Sequence, residues 1–69
     1  MNPETVKRIE AYLKRVLNTG ITLQARPRVN DSVEVVLAGE HIGLVYLIED
    51  EGETSYQLEM TILQEDLDA

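Results

Sequence analysis

A chain of 69 residues has room for one domain, here residues 1–69, and none of its apolar stretches approaches the ~18 residues that a membrane-spanning helix needs. It has no cysteine, which excludes disulfides and thiolate metal sites, and no apolar leader follows the early charges at Glu4, Lys7 and Arg8; both features imply a soluble cytoplasmic protein. The chain is acidic, with a net charge of −7, yet all six Lys and Arg lie at or before Arg28, and only two of the 13 acids, Glu4 and Glu10, lie there with them; a surface divided this way, with three tyrosines as its only aromatics, argues against a plain nucleic-acid binder.

Asn2-Pro3-Glu4 reads as a helix start. Asn2 suits the N-cap, Pro3 the first helical position, and Glu4 the positive end of the helix dipole. Val6, Ile9, Leu13, Val16 and Leu17 then recur at helical spacing, with Tyr12 at the margin of the stripe and Lys7, Arg8, Lys14 and Arg15 on the other side. The helix is expected over about 3 to 18, with Gly20 as its left-handed stop.

After Gly20 the period changes to two. Ile21, Leu23 and Ala25 alternate with Thr22, Gln24 and Arg26 as a half-buried strand, and Pro27 belongs at its end. Arg28-Val29-Asn30 is expected to be a hairpin loop, with Asn30 left-handed. Val33, Val35 and Leu37 form the apolar side of a second strand, and Gly39-Glu40 fits a two-residue turn with glycine first. The run Ile42-Gly43-Leu44-Val45-Tyr46-Leu47-Ile48 reads as a central strand buried on both sides, or nearly so. Asp50-Glu51-Gly52 is a three-residue loop. Tyr56, Leu58, Met60 and Ile62 then alternate with polar residues in a fourth strand, and the tail from Leu63 makes one helical turn or frays.

With those loop lengths, Leu23 stands opposite Val35, Val35 opposite Leu44, and Leu44 opposite Leu58, so that all four strands turn apolar residues to one face. The expected fold is α+β: an N-terminal helix on one face of a four-stranded antiparallel meander in the order 1-2-3-4. In that register the outer face carries Thr22, Gln24, Arg26, Glu34 and Glu59, but also Val36, Val45 and Leu47. These three apolar residues can be scattered surface hydrophobes or an interface patch.

Chemistry-bearing motifs are few. The four helix cations read as a solvated face, with Glu4–Arg8 and Glu10–Lys14 pairs at helical spacing. Arg26-Pro27-Arg28 can grip an anion or pair locally, Arg26 lying diagonally from Glu34. Glu49-Asp50-Glu51-Gly52-Glu53 fails the EF-hand pattern, because Leu47 and Leu58 fall where carboxylates are needed. His41 stands alone, and no phosphate loop, zinc motif or nucleophile–base pair occurs. No cofactor, metal or catalytic residue is implied, and the chain reads as a non-enzyme.

The residues Asn2-Pro3 with Ala11-Tyr12-Leu13, Ala25-Arg26-Pro27-Arg28, Asn30-Asp31-Ser32, Gly39-Glu40 with Ile42-Gly43, and Asp50-Glu51-Gly52 with Ser55-Tyr56 resemble a small alphaproteobacterial family of about 70-residue domains of unknown function. The resemblance covers nearly the whole chain and departs most in the tail and the central strand. It brings no catalytic residue, cofactor or partner, but it implies that Arg26, Pro27, Arg28, Asp31 and Ser32 matter beyond packing. The expected function is therefore a protein-interaction or self-associating domain, a homodimer or a module for an unknown protein partner. Val36, Val45 and Leu47 are its candidate interface, and Arg26, Arg28 and Asp31 its candidate partner contacts. The alternative is weak nucleic-acid or ribosome-associated binding through the basic helix face with Arg26 and Arg28.

Overall fold

The computed structural model describes residues 1–68 and has the expected α+β architecture. Helix α1 (Pro3–Val16) is followed by strands β1 (Ile21–Ala25), β2 (Ser32–Leu37), β3 (Glu40–Asp50) and β4 (Glu53–Met60) and by a single helical turn, α2 (Gln64–Leu67). The strands form one antiparallel sheet in the order β1-β2-β3-β4.

The start of α1 follows from its sequence. The Asn2 side-chain oxygen accepts from the Glu4 N–H at 2.8 Å and the Thr5 N–H at 3.4 Å, and Pro3 opens the first turn. The stop differs from the expectation. The helix ends at Val16 with Leu17 as its C-cap, and Gly20 is not left-handed. Asn18 makes the exit instead: its N–H donates to the Leu13 carbonyl, and its side-chain oxygen accepts from the Gly20 N–H at 2.7 Å. A local side-chain bond of this kind replaces the glycine C-cap.

The register of β1 on β2 is the one the alternation specifies, with Leu23 opposite Val35 and Ala25 opposite Val33. The turn between them is centred on Pro27-Arg28, closed by the Val29 N–H on the Arg26 carbonyl, and Arg28 rather than Asn30 takes the positive φ. A type II turn has this form, with proline first and a left-handed residue second.

The next two hairpins correct the expected register by one residue. Both turns are two-residue loops with positive φ at both positions, Ala38-Gly39 and Glu51-Gly52, which is the type I′ form whose twist suits antiparallel strands. With the Glu51-Gly52 turn on one side and the Ala38-Gly39 turn followed by a one-residue bulge on the other, Val45 pairs with Val33 and with Leu58, and Gly43 with Val35 and Met60. A β-bulge between Val35 and Val36 leaves Ile42 as the extra residue of β3. The effect is to turn β3 over. Gly43, Val45 and Leu47 share the helix-facing side with Tyr56, Leu58 and Met60, while Leu44, Tyr46 and Ile48 lie on the outer side with Glu34 and Glu59.

Ala38 holds a left-handed φ of 53° at the first I′ position, and it is exposed. A residue with a Cβ pays about 1 kcal/mol there, less for asparagine, which favours this conformation. Ala38→Asn is expected to raise stability by about 0.5–1 kcal/mol, read as a melting-temperature increase of roughly 2–8 °C.

The core lies under the first half of the sheet. Leu13, Ile21, Val33, Val35 and Val45 are buried together, with Met1, Val6, Ile9, Leu23, Leu37 and Ile42 against them. Helix α1 sits over β1 rather than over the middle of the sheet. The short link at residues 17–20 leads straight from one to the other, and the Glu10 carboxylate accepts the Leu23 N–H of this edge strand at 2.8 Å. That bond satisfies an edge donor and moors the helix off-centre.

Candidate interaction surface

Because α1 lies over β1, the helix-facing side of β4 is left bare. Every residue from 49 to 68 is exposed, including the apolar row that Tyr56, Leu58 and Met60 turn toward the helix side. Between β4 and α1 runs an open groove of about 800 Å³. Leu13 and Val45 line its floor, Tyr56 and Leu58 one wall, and Thr5, Ile9, Tyr12 and Val16 the other. These helix residues recur at spacings of three and four, so they form one flank of α1. Arg8 and Arg15 line the same flank, and the Arg15 guanidinium lies over the Tyr12 ring at 5.3 Å from its centroid.

The balance of buried and exposed apolar residues is unusual for a finished monomer. Among the described residues six hydrophobes are buried, whereas nine large ones are exposed: Tyr12, Val16, Leu17, Tyr56, Leu58, Met60, Ile62, Leu63 and Leu67. The accessible surface is 5459 Å², against about 4400 Å² for a compact monomer of this mass. The radius of gyration is 12.9 Å, against about 11 Å for a compact chain of this length. The excess area exceeds the ~800 Å² per partner that a standard interface covers.

Of the interface residues singled out from sequence, Val36 and Leu47 fall outside this groove and Val45 lies on its floor. Val45 is 2% exposed on the helix-facing side, and Val36 is buried at 7%. Leu47 is half-buried, also on the helix-facing side beside Tyr56. The outer patch of Val36, Val45 and Leu47 is therefore not present, because β3 has turned over. Its replacements on that face, Leu44, Tyr46 and Ile48, are half-buried rather than exposed.

Arg26 does not reach Glu34. Its Nη1 donates to the hydroxyl of buried Ser32 at 2.8 Å, and Glu34 instead has His41 Nδ1 at 3.4 Å. Arg28 is exposed in its turn, and the Asp31 carbonyl accepts the Leu47 N–H at 2.7 Å, which ties the loop to β3. Arg26, Arg28 and Asp31 thus stand in one loop, but the first is committed locally. The helix cations are also divided. Arg8 and Arg15 line the groove, whereas Lys7 lines a smaller cleft of about 370 Å³ on the other side of α1 with Met1, Val6 and Glu10. Glu10, expected to pair with Lys14, is engaged by the Leu23 N–H.

Among the described residues no cluster of three His, Asp or Glu could hold a metal ion, and no helix is long and apolar enough to cross a membrane. Sequence reasoning missed the groove altogether. Its signal was present in the alternation of Tyr56, Leu58 and Met60, but which strand the helix covers is not written in that alternation.

Comparison with known proteins gives no curated relative and no similar solved structure. A family model, by contrast, matches residues 5–66, from the first turn of α1 to the α2 turn, and the chain belongs to the family described as proteins of unknown function DUF3126.

Proposed function

We propose that this chain is a non-enzymatic self-association domain in which a second copy covers the groove between α1 and β4. The observation that carries this reading is that every residue of β4 is exposed, its apolar row by about half, on the helix side of the sheet with no element above it. Apolar residues on a strand are ordinarily the inner face of a packed layer, and an uncovered row of this length is a contact surface. The excess surface area is more than one standard interface would remove from each partner. The free edge of β4 adds a set of unpaired backbone groups that a second β4 can satisfy. A bacterial cytoplasm, implied by the resemblance to an alphaproteobacterial family and by the lack of cysteine, belongs to the same reading.

Sedimentation velocity across a micromolar-to-millimolar series tests it. The expected result is a concentration-dependent dimer. Leu58→Asp, at an exposed position of the groove wall, is expected to keep the far-UV circular dichroism of the parent while weakening association by roughly tenfold or more. A chain that stays monomeric throughout the series overturns the proposal.

A further inference from the structure

The occupant of the groove can be specified further, on the strength of the self-association reading. We infer that residues 62–68 of one copy dock in the α1–β4 groove of a second copy, with the acidic side chains of the segment against Arg8 and Arg15.

The chemistry of the two surfaces is complementary. Ile62, Leu63 and Leu67 are all at least half exposed, and they share the segment with the acids Glu65, Asp66 and Asp68. The groove offers an apolar floor and walls, with Arg8 and Arg15 on the α1 side. An amphipathic turn laid in an apolar groove under a basic rim is a recurrent mode of peptide recognition. Arginine is the cation best fitted to carboxylates there, because its planar fork can bond both oxygens.

The segment is shaped for docking but anchored to nothing. Its turn is held by local bonds alone, the Leu63 N–H on the Asp66 carboxylate at 3.3 Å and the Gln64 side-chain amide on the Asp68 carboxylate at 3.4 Å. An isolated turn of four residues does not persist in water without packing. The exposed apolar residues of this segment, Ile62, Leu63 and Leu67, therefore need an external surface.

The path of the chain directs the segment outward rather than back onto its own groove. Leu63 is still extended, at φ −84° and ψ 148°, and the molecule is drawn out to 43 Å along its long axis. After Gly52 the sequence contains no glycine, proline or asparagine, the residues that make tight reversals. A reciprocal exchange also closes the assembly at two copies, since each groove receives the partner's tail.

Charge reversal with complementation tests this. One variant carries Arg8→Glu and Arg15→Glu, the other Glu65→Lys and Asp66→Lys; all four positions are exposed, and circular dichroism verifies the fold. Each variant alone is expected to associate at least tenfold more weakly than the parent, since its groove and tail then carry like charge. An equimolar mixture is expected to recover a heterodimer of near-parental affinity, because both groove–tail pairs become complementary. The chain has no cysteine, so copies carrying Ala11→Cys and copies carrying Gln64→Cys are expected to be joined by a short thiol cross-linker when mixed. If both charge variants dimerise as the parent does, tail exchange is overturned while self-association stands. If the mixture fails but a single chain carrying all four changes recovers, the tail docks on its own groove and exchange is overturned. A parent that never dimerises removes the underlying reading and the inference with it.

Discussion

Val45→Asp is expected to leave no folded population at 25 °C. Val45 is 2% exposed and pairs with Val33 on one side and Leu58 on the other, at the point where the buried core meets the floor of the groove. No cation lies among the buried core residues around it, which are Leu13, Ile21, Val33 and Val35. A carboxylate placed there is either ionised without a partner or protonated at a cost, and the loss of packing adds to both. The penalty is several kcal/mol. A domain of 69 residues has a total stability of only about 3–10 kcal/mol. Urea unfolding followed by circular dichroism reads the outcome. Val45→Ala, which removes two methyl groups and adds no charge, is expected to unfold cooperatively at lower urea, having lost about 2 kcal/mol. The experiment also discriminates between registers. With a Gly39-Glu40 turn and no bulge, Val45 would lie on the outer face and Val45→Asp would be a surface change. A folded Val45→Asp protein would restore that arrangement.

The second large effect is expected at Gly43. It pairs with Met60 near the end of β4, and a Cβ built there would lie 2.2 Å from the Glu59 carbonyl oxygen and 3.2 Å from the Met60 Cα. Both neighbours are backbone, so no rotamer change relieves the contact. The strands have to separate, which breaks ladder bonds at the end of β4, and a glycine inside a strand marks such a close approach. Gly43→Ala is expected to cost about 1–3 kcal/mol, and Gly43→Val more. The urea midpoint should fall while the slope stays constant. Hydrogen exchange should accelerate first at residues 57–60, since β4 is the element with the least burial to hold it. Parental stability in Gly43→Ala would mean that β3 and β4 are spaced more widely than this.

The register of the central strand shows why the sequence reading stopped where it did. The strands around it have one apolar face each, and a one-residue slip would put charge in the core; β1 and β2 therefore pair as their alternation requires. Strand β3 has two apolar faces, Gly43, Val45 and Leu47 on one and Leu44, Tyr46 and Ile48 on the other. Its alternation is blind to a slip, and the turns together with the bulge between Val35 and Val36 decide. The Ala38-Gly39 turn moves the β2–β3 pairing by two residues from that of a Gly39-Glu40 turn and the bulge between Val35 and Val36 takes one back, while Glu51-Gly52 in place of a three-residue loop moves the β3–β4 pairing by one. The two displacements add to two residues at β4, an even number that preserves its facing, so Tyr56, Leu58 and Met60 still face the helix side while Val45 and Leu47 change sides. Val45 and Leu47 leave the outer face for this reason, whereas Val36 stays on it, opposite Thr22, and is buried.

Local signals determined the helix and its Asn2 cap, the four strands, their order, the β1–β2 register and the acidic, apolar character of the tail. Each follows from periodicity, capping chemistry or turn residues acting over a few positions. The placement of α1 over β1, fixed by the Glu10 carboxylate on the Leu23 N–H and the short link through Asn18, came only with the tertiary structure. So did the groove, which exists because a helix one strand off-centre covers half of an apolar face. A helix stripe specifies that it will be buried, but not against which strand, because apolar contact is non-directional and several strands offer the same surface.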